Sequence, residues 1–281
     1  MEESTLETNA SPAINCQVGT DHSDVAQFRL LGVPVAATNM PSAIRTVCSW
    51  IERGDRGRMV TFSTVHMLVE GIKSPGFFKL LQGSDMNCPD GMPLVWYGKR
   101  KAGKQVERVC GPDFLPAFCS ATADRNFRHF FYGGAEGVAA KAARMLQQKN
   151  PGVQVAGVYS PPFRTLTMEE KQGIVDTINA SRADVVWVCL GCPKQESWID
   201  EFRKELNVPV LLAVGLAVDI LAGSKKRAPR IMRSFGLEWF YRLCQEPQRL
   251  WRRYLIYNSI FLYRLLTEKL QPTGRSDTKG L

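Results

Sequence analysis

Through the second half of the chain, short runs of consecutive apolar residues alternate with longer stretches in which apolar positions recur at helical spacing. The runs at 127–132, 153–158, 184–190 and 208–214 predict strands, and the stretches at 136–149, 168–181 and 194–206 predict the helices between them. Such alternation requires right-handed crossovers and a parallel sheet covered by helices on both faces. The expected fold class is α/β, with a Rossmann-like parallel sheet core.

The first half is less regular. Residues 28–36, with Gly32 and Pro34, read as one or two short strands. Asn39 and Pro41 open an amphipathic helix over 42–53, which Gly54 ends. A β-branched strand follows at 58–64, and its exit, 61–66, is polar where a core would be apolar. That suits a binding edge, since ligands of α/β sheets gather at the carboxyl ends of the strands. Ser74-Pro75 starts a short helix to about 81, residues 85–89 form a brief extended piece, 93–101 a helix, and 108–113 a loop before a helix to about 123. Residues 1–28 and 271–281 read as disordered tails. The expected organisation is thus a tail (1–28), an α/β catalytic core (29–223), a basic, aromatic, helical appendage (224–270) and a second tail (271–281).

Charge changes this picture at one place. Residues 225–264 hold ten Lys and Arg against only Glu238 and Glu246, so nearly all of the protein's net charge of +9 sits there. The same stretch carries nine aromatic residues, Trp239, Trp251 and Tyr254 among them. Basic side chains beside Trp and Tyr suit lipid phosphates over acyl chains, or a nucleic-acid backbone with stacked bases. Within it, 249–266 reads as an amphipathic helix with Trp251, Leu255, Leu262 and Leu266 on one stripe and Arg249, Arg252 and Arg253 near its start, able to lie in a membrane interface. No apolar leader precedes the core, and the longest uncharged run, around 208–218, is interrupted by Pro209 and Gly215, too short for a spanning helix. The expectation is a soluble or peripheral cytoplasmic protein with its eight cysteines reduced.

Several clusters could carry chemistry. Gly133 and Gly134 sit between a strand and a helix, where bare amides can hold a phosphate, although the pattern is not that of a dinucleotide fold. Cys189 and Cys192 have C-x-x-C spacing, but Cys189 lies in an apolar run, and His22, His66 and His129 are too scattered to complete a metal site. Pro193-Lys194-Gln195-Glu196 begins a helix, where Gln195 and free amides could address a nucleotide or sugar, or Glu196 could simply cap. Asp90 stands in a Pro-Asp-Gly turn; it is either turn chemistry or a general base on a hydroxyl. The chain contains no D-x-D, so arginines would have to stabilise any departing diphosphate.

Taken in order, Thr61-x-Ser63, Pro89-Asp90-Gly91, Arg108-Val109-x-Gly111-x-Asp113, Gly133-Gly134, Gly191-x-Pro193-Lys194-Gln195-Glu196, Arg227-Ala228-Pro229 and Gly236-Leu237-Glu238-Trp239-x-Tyr241-Arg242-Leu243 resemble the WecG/TagA/CpsF glycosyltransferases, glycosyltransferase family 26. The resemblance runs from about residue 30 to 254. It implies inverting, metal-independent transfer, with no cofactor, of a hexose or N-acetylhexosamine from a UDP-sugar to a polyprenyl-diphosphate-linked glycan at the inner face of the cell membrane. By the same resemblance Asp90 is the catalytic base, and Thr61, Ser63, Arg108, Gly133, Gly134, Lys194, Gln195 and Glu196 are donor or substrate groups. Arg227, Arg230, Arg242, Arg249, Arg252 and Arg253 would meet the diphosphate or an anionic membrane.

Three positions depart from the family pattern: Ser63 replaces a common Asn, Gly215-Leu216 a Gly-Gly, and Tyr159-Ser160-Pro161-Pro162-Phe163 a Gly-Tyr-Phe. The last variant resembles exopolysaccharide glucosyltransferases of the xanthan type and favours glucose as the donor sugar. N-acetylmannosamine or its uronic acid is the alternative within the family, and a nucleic-acid-binding α/β protein the alternative outside it. The resemblance argues against a nucleic-acid partner and is compatible with a homo-oligomer.

Overall fold

The structure, a computed structural model, describes residues 25–270 apart from Phe235, and not the side chains of Arg230, Ser234, Arg249, Arg253 and residues 268–270. The chain begins with a hairpin, β1 (Gln27–Leu30) and β2 (Val33–Ala36), then α1 (Met40–Glu52), β3 (Arg58–Ser63), α2 (Val65–Lys73), α3 (Pro75–Gln82), β4 (Met86–Pro89), α4 (Met92–Ala102) and α5 (Gly111–Ala121). It continues through β5 (Arg128–Gly133), α6 (Val138–Lys149), β6 (Gln154–Tyr159), α7 (Met168–Ala180), β7 (Val185–Cys189), α8 (Lys194–Phe202), β8 (Val210–Ala213) and α9 (Ala217–Leu221). The C-terminal helices are α10 (Arg230–Ser234), α11 (Glu238–Gln245), α12 (Pro247–Trp251) and α13 (Tyr257–Leu270), with a π-helical turn at Arg252–Ile256.

Six parallel strands form the main sheet in the order β4-β3-β8-β7-β5-β6, confirming the α/β expectation. Because successive side chains of a strand point to opposite faces, each strand feeds two cores. Val60, Phe62, Phe131, Trp187 and Leu212 pack with α1, α5, α6 and α9 on one face. Met59, Phe130, Tyr132, Val186, Val188 and Leu211 pack with the hairpin, α2, α3, α7 and α8 on the other. The second face is completed by Phe261 of α13, so the C-terminal segment is part of the core rather than a loose arm.

Several sequence expectations shift. The N-terminal tail is shorter than residues 1–28: Phe28 is buried in β1, while residues 1–24 and the expected 271–281 tail lie outside the described residues. The polar exit of β3 is divided: Thr61 and Ser63 are fully buried, whereas Thr64, Val65 and His66 line a cleft at the strand's carboxyl end, with Thr64 also capping α2, a helix the pattern did not predict. The 108–113 loop is helical from Gly111, and the helix predicted over 194–206 ends at Phe202. The single helix expected over 249–266 is broken by the π turn. Its outward stripe, Leu255, Leu262 and Leu266, is exposed as expected, but Tyr257, Ile260, Phe261 and Leu265 form a second apolar face against the core. Among the described residues, no helix is long and apolar enough to cross a membrane.

A histidine is buried in the core beside Trp187. Trp187 Nε1 donates to His129 Nδ1 at 3.1 Å, and the two rings stack with Phe118 at their edge. The imidazole must be neutral to accept that bond. Burial lowers its pKa from 6.5 to about 4, against a smaller opposing pull from Asp184. In the unfolded chain His129 takes up a proton below about 6.5, whereas in the fold it resists until about 4. Its contribution is therefore complete above the unfolded value and is lost as pH falls through that window, on the order of 3 kcal/mol. The melting temperature should fall steeply between those pH values. His129→Gln keeps an acceptor for Trp187 and should flatten that part of the curve; an unchanged curve would exclude His129 as its source.

Candidate active site

The register of β3 and β4 sets Ser63 beside Pro89, and the next residue, Asp90, donates its N–H to Ser63 O at 3.0 Å. Val109 N–H donates to Pro89 O at 2.9 Å, which brings Arg108 alongside the Asp90 turn. Arg108 then closes on Asp90: Nε donates to its carbonyl at 2.6 Å, and Nε and Nη2 both donate to Oδ1, at 3.1 and 2.8 Å. Oδ2 receives no bond among the described residues, and Asp90 lines a cleft of about 260 Å³. The carboxylate is thus fixed at one oxygen and open at the other. Burial pushes its pKa above the ordinary value; the Arg108 charge opposes this and the Glu238 charge reinforces it.

The cleft lies at the carboxyl edge of the sheet, between β3, β4 and the C-terminal helices. Thr64, Val65 and His66 form one wall, and Gly91, Met92, Pro93 and Trp96 the base of another. Gly236, Glu238, Trp239 and Arg242 close it from α11 and the turn before it, and Tyr254 and Asn258 from the last helical segment. Gly236 has φ +72°, and a Cβ there would stand 2.6 Å from Met92 Cγ, so only glycine lets the turn approach this closely.

Alternating charges hold the C-terminal helices in place. Arg108 Nη2 also donates to Glu238 Oε2 at 3.0 Å, and Arg242 donates to Glu238 Oε1 at 3.3 Å. Arg227 grips Asp113 with both terminal nitrogens, at 2.6 and 2.7 Å, and Arg233 lies 3.5 Å from the same carboxylate. Burial alone would raise Asp113 and Glu238; Arg227 holds the first, and Arg108 with Arg242 the second, below their ordinary values. Both are therefore anionic near neutrality. A separate clasp fixes α13, where Tyr257 stacks on His66 at 5.0 Å, donates to Glu70 Oε2 at 2.8 Å and lies under Lys73.

Of the residues expected from the sequence, Asp90, Arg108 and Arg242 meet in the cleft. Thr61 and Ser63 lie behind it: Thr61 donates to Asn87 Oδ1, and Asn87 Nδ2 donates to Pro34 O and Leu81 O, a buried staple the sequence did not single out. Gly133 is buried and packs on β7, where a Cβ would meet Cys189 at 2.9 Å, and Gly134 N–H donates to Cys189 O; strand packing explains the first glycine, while Gly134 has room beside it. Lys194 is exposed at the start of α8. Arg227 is taken up by Asp113, Arg252 is exposed over the Trp251 ring, and the side chains of Arg230, Arg249 and Arg253 lie outside the described ones.

Gln195 serves the fold in this structure. Its Oε1 accepts from Gly191 N–H at 3.1 Å and Gly215 N–H at 3.0 Å, and its Nε2 donates to Glu196 Oε1 and Ala213 O. The side chain thereby ties the ends of β7 and β8 together, and Glu196 is buried beside it instead of capping α8. Gln195→Ala removes these bonds and leaves two backbone amides short of partners. It should lower unfolding free energy by roughly 2–4 kcal/mol in urea titrations, given about 1 kcal/mol per bond and more where a buried group loses its partner. A variant as stable as the parent would show that Gln195 does not brace these loops.

Of the cleft's rim, Trp96 carried no signal in the sequence; Glu238 and Trp239 stand in the 236–243 motif and Tyr254 in the basic aromatic stretch, without a site role assigned to them. Glu238 was marked also as one of two acids in that stretch.

Comparison with known proteins matches residues 28–275 to the glycosyl transferase WecG/TagA/CpsF family. Among curated proteins, the N-acetylglucosaminyldiphosphoundecaprenol N-acetyl-beta-D-mannosaminyltransferase of Bacillus spizizenii is 31% identical over 201 residues, covering 72% of this chain and 76% of the relative. The protein of the same description from Bacillus subtilis is 28% identical over 217 residues, covering 77% and 82%. With the match spanning both the sheet and the C-terminal helices that close the cleft, the chain belongs to the WecG/TagA/CpsF family and is a glycosyltransferase.

Proposed function

We propose that the enzyme transfers a sugar from a UDP-sugar to a sugar carried on a polyprenyl diphosphate, with inversion and without a metal ion. The observation that carries this reading is the half-held carboxylate of Asp90, open at Oδ2 within the cleft. Oδ2 would take the proton of the acceptor hydroxyl as that oxygen attacks the anomeric carbon. The bond to the UDP oxygen breaks on the opposite side, and the electron pair leaves with the diphosphate. One base suffices for such a displacement. A raised pKa suits it, because a base works best when its pKa lies near the working pH. Arg242 and Arg108 are the arginines that line the cleft, and Arg242, the one not bonded to Asp90, would meet the leaving charge.

The names of the two Bacillus relatives favour N-acetylmannosamine as the donor sugar over the glucose suggested by the 159–163 variant. They also support an acceptor of the N-acetylglucosaminyl-diphosphate-polyprenol type. Membrane association is supported by the exposed apolar side chains of the C-terminal helices and by Trp96 at the cleft mouth, and the inner face remains what the family resemblance implies.

UDP-N-acetylmannosamine, UDP-N-acetylmannosaminuronic acid, UDP-N-acetylglucosamine and UDP-glucose, each offered with a prenyl-diphosphate N-acetylglucosamine in EDTA, should give turnover with the first. Turnover with UDP-glucose alone would restore the glucose reading, and activity recovered only on adding Mg²⁺ or Mn²⁺ would refute metal independence. Asp90→Asn should cut turnover by roughly 10²–10⁴-fold, the usual worth of a general base; near-normal turnover would remove Asp90 from the mechanism. Replacing Trp251, Leu255, Leu262 and Leu266 together by Ser should abolish co-sedimentation with phosphatidylglycerol vesicles while leaving the melting temperature nearly unchanged, because all four are exposed. Undiminished sedimentation would contradict the membrane assignment.

A further inference from the structure

We propose that Glu238 is a positioning residue for the catalytic base, dividing the Arg108 guanidinium between two carboxylates so that Asp90 keeps its proton-accepting power. The inference rests on the reading of Asp90 as the base. It concerns a residue supplied by the C-terminal helices rather than by the sheet.

The geometry is that of one donor with two claimants. The same Arg108 Nη2 lies 2.8 Å from Asp90 Oδ1 and 3.0 Å from Glu238 Oε2. A carboxylate paired alone with an arginine is a poor base, because the adjacent positive charge favours its ionised form, typically by one to three pK units, or about 1–3. A second carboxylate on the same guanidinium offsets that charge and repels the first. Glu238 is only 7% exposed, so water does not take over its role. Its own charge is secured from the far side by Arg242, with the Arg227 Nε 4.0 Å from Oε1.

The other groups facing Asp90 leave this assignment to Glu238. Burial pushes the thiols of Cys88 on β4 and Cys110 before α5 far up, so both are neutral. Arg242 on α11 acts on Asp90 as a cation, in the opposite sense to Glu238. His66 on α2 lines the same cleft and is common to every variant below. Because Glu238 belongs to α11, the basicity of Asp90 is coupled to the seating of that helix. A carboxylate at the end of β4 would revert to an ordinary arginine partner if α11 left its place.

The test is a direct titration of Asp90 in the full chain, by ¹³C NMR of carboxyl-labelled aspartate, with its signal assigned by its loss in Asp90→Asn. Glu238→Gln should move the Asp90 midpoint to lower pH, and Glu238→Asp should return it towards the parent. Arg242→Gln, which removes a cation that acts on Asp90 directly, should move it to higher pH. The acidic limb of the kcat/KM profile should move with the midpoint in each variant. An Asp90 midpoint indifferent to Glu238→Gln, or displaced the same way by Glu238→Gln and Arg242→Gln, would overturn the proposal. If Glu238→Gln does not fold, Glu238→Asp decides it: its shorter side chain should leave the Asp90 midpoint below that of the parent, and a midpoint equal to or above the parent's would overturn the proposal. Full activity in Asp90→Asn would instead refute the base assignment, whatever the titrations give.

Discussion

Arg108 reaches from the segment ahead of α5 and splits its guanidinium between Asp90, at the end of β4, and Glu238, on α11. On either side of it the charges continue to alternate, through Glu238 to Arg242 and, beside it, through Asp113 to Arg227 and Arg233. Each of these ions is partly withdrawn from water, and a buried charge that loses its partner costs several kcal/mol, about 3–5. The network therefore specifies one arrangement of α10 and α11 over the sheet, because any shift leaves several charges without a counterpart. What converts a sheet edge into a cleft is this ionic seam more than apolar contact. Glu238 is the one enclosed acid at its centre.

Apolar packing does the complementary work at the end of the chain. Phe261 enters the core and Tyr257 clasps α2, while Leu255, Leu262 and Leu266 remain outside. The C-terminal helix is thus tied to the sheet by one face and offers the other to whatever the protein meets. Trp96 and Trp239 stand at the mouth of the cleft on the same edge of the molecule as the seam. The residues that close the cleft and the exposed apolar face are thereby built from neighbouring parts of the same short stretch of chain.

The parallel sheet was legible because most of its strands are short, continuous apolar runs, buried on both faces, alternating with longer stretches of helical spacing. Asp90 and the arginines were legible through family motifs, which preserve residue type and order. What those motifs do not encode is the division of labour among side chains that only folding brings together. Gln195 opens α8 and Thr61 lies near the end of β3, yet one ties two loops and the other meets Asn87 behind the cleft. Along 61–66 the expectation of a binding edge holds for Thr64, Val65 and His66, which line the cleft, and fails for Thr61 and Ser63, which are buried behind it. The C-terminal arginines looked available for phosphate because their partners, Asp113 and Glu238, are remote in sequence or hidden by the surrounding positive charge. Periodicity likewise showed one apolar stripe of α13 and missed the other, since a π turn resets the phase just before it.

A single carboxylate acting by direct displacement fixes the stereochemistry of the product. The anomeric configuration of the product, read from the one-bond carbon–hydrogen coupling of the transferred sugar after reaction of an α-linked UDP-sugar, tests that most directly. A β-linked product is what one base at Asp90 predicts. An α-linked product would mean that the configuration is retained and that the reaction does not proceed by the one-step attack described here.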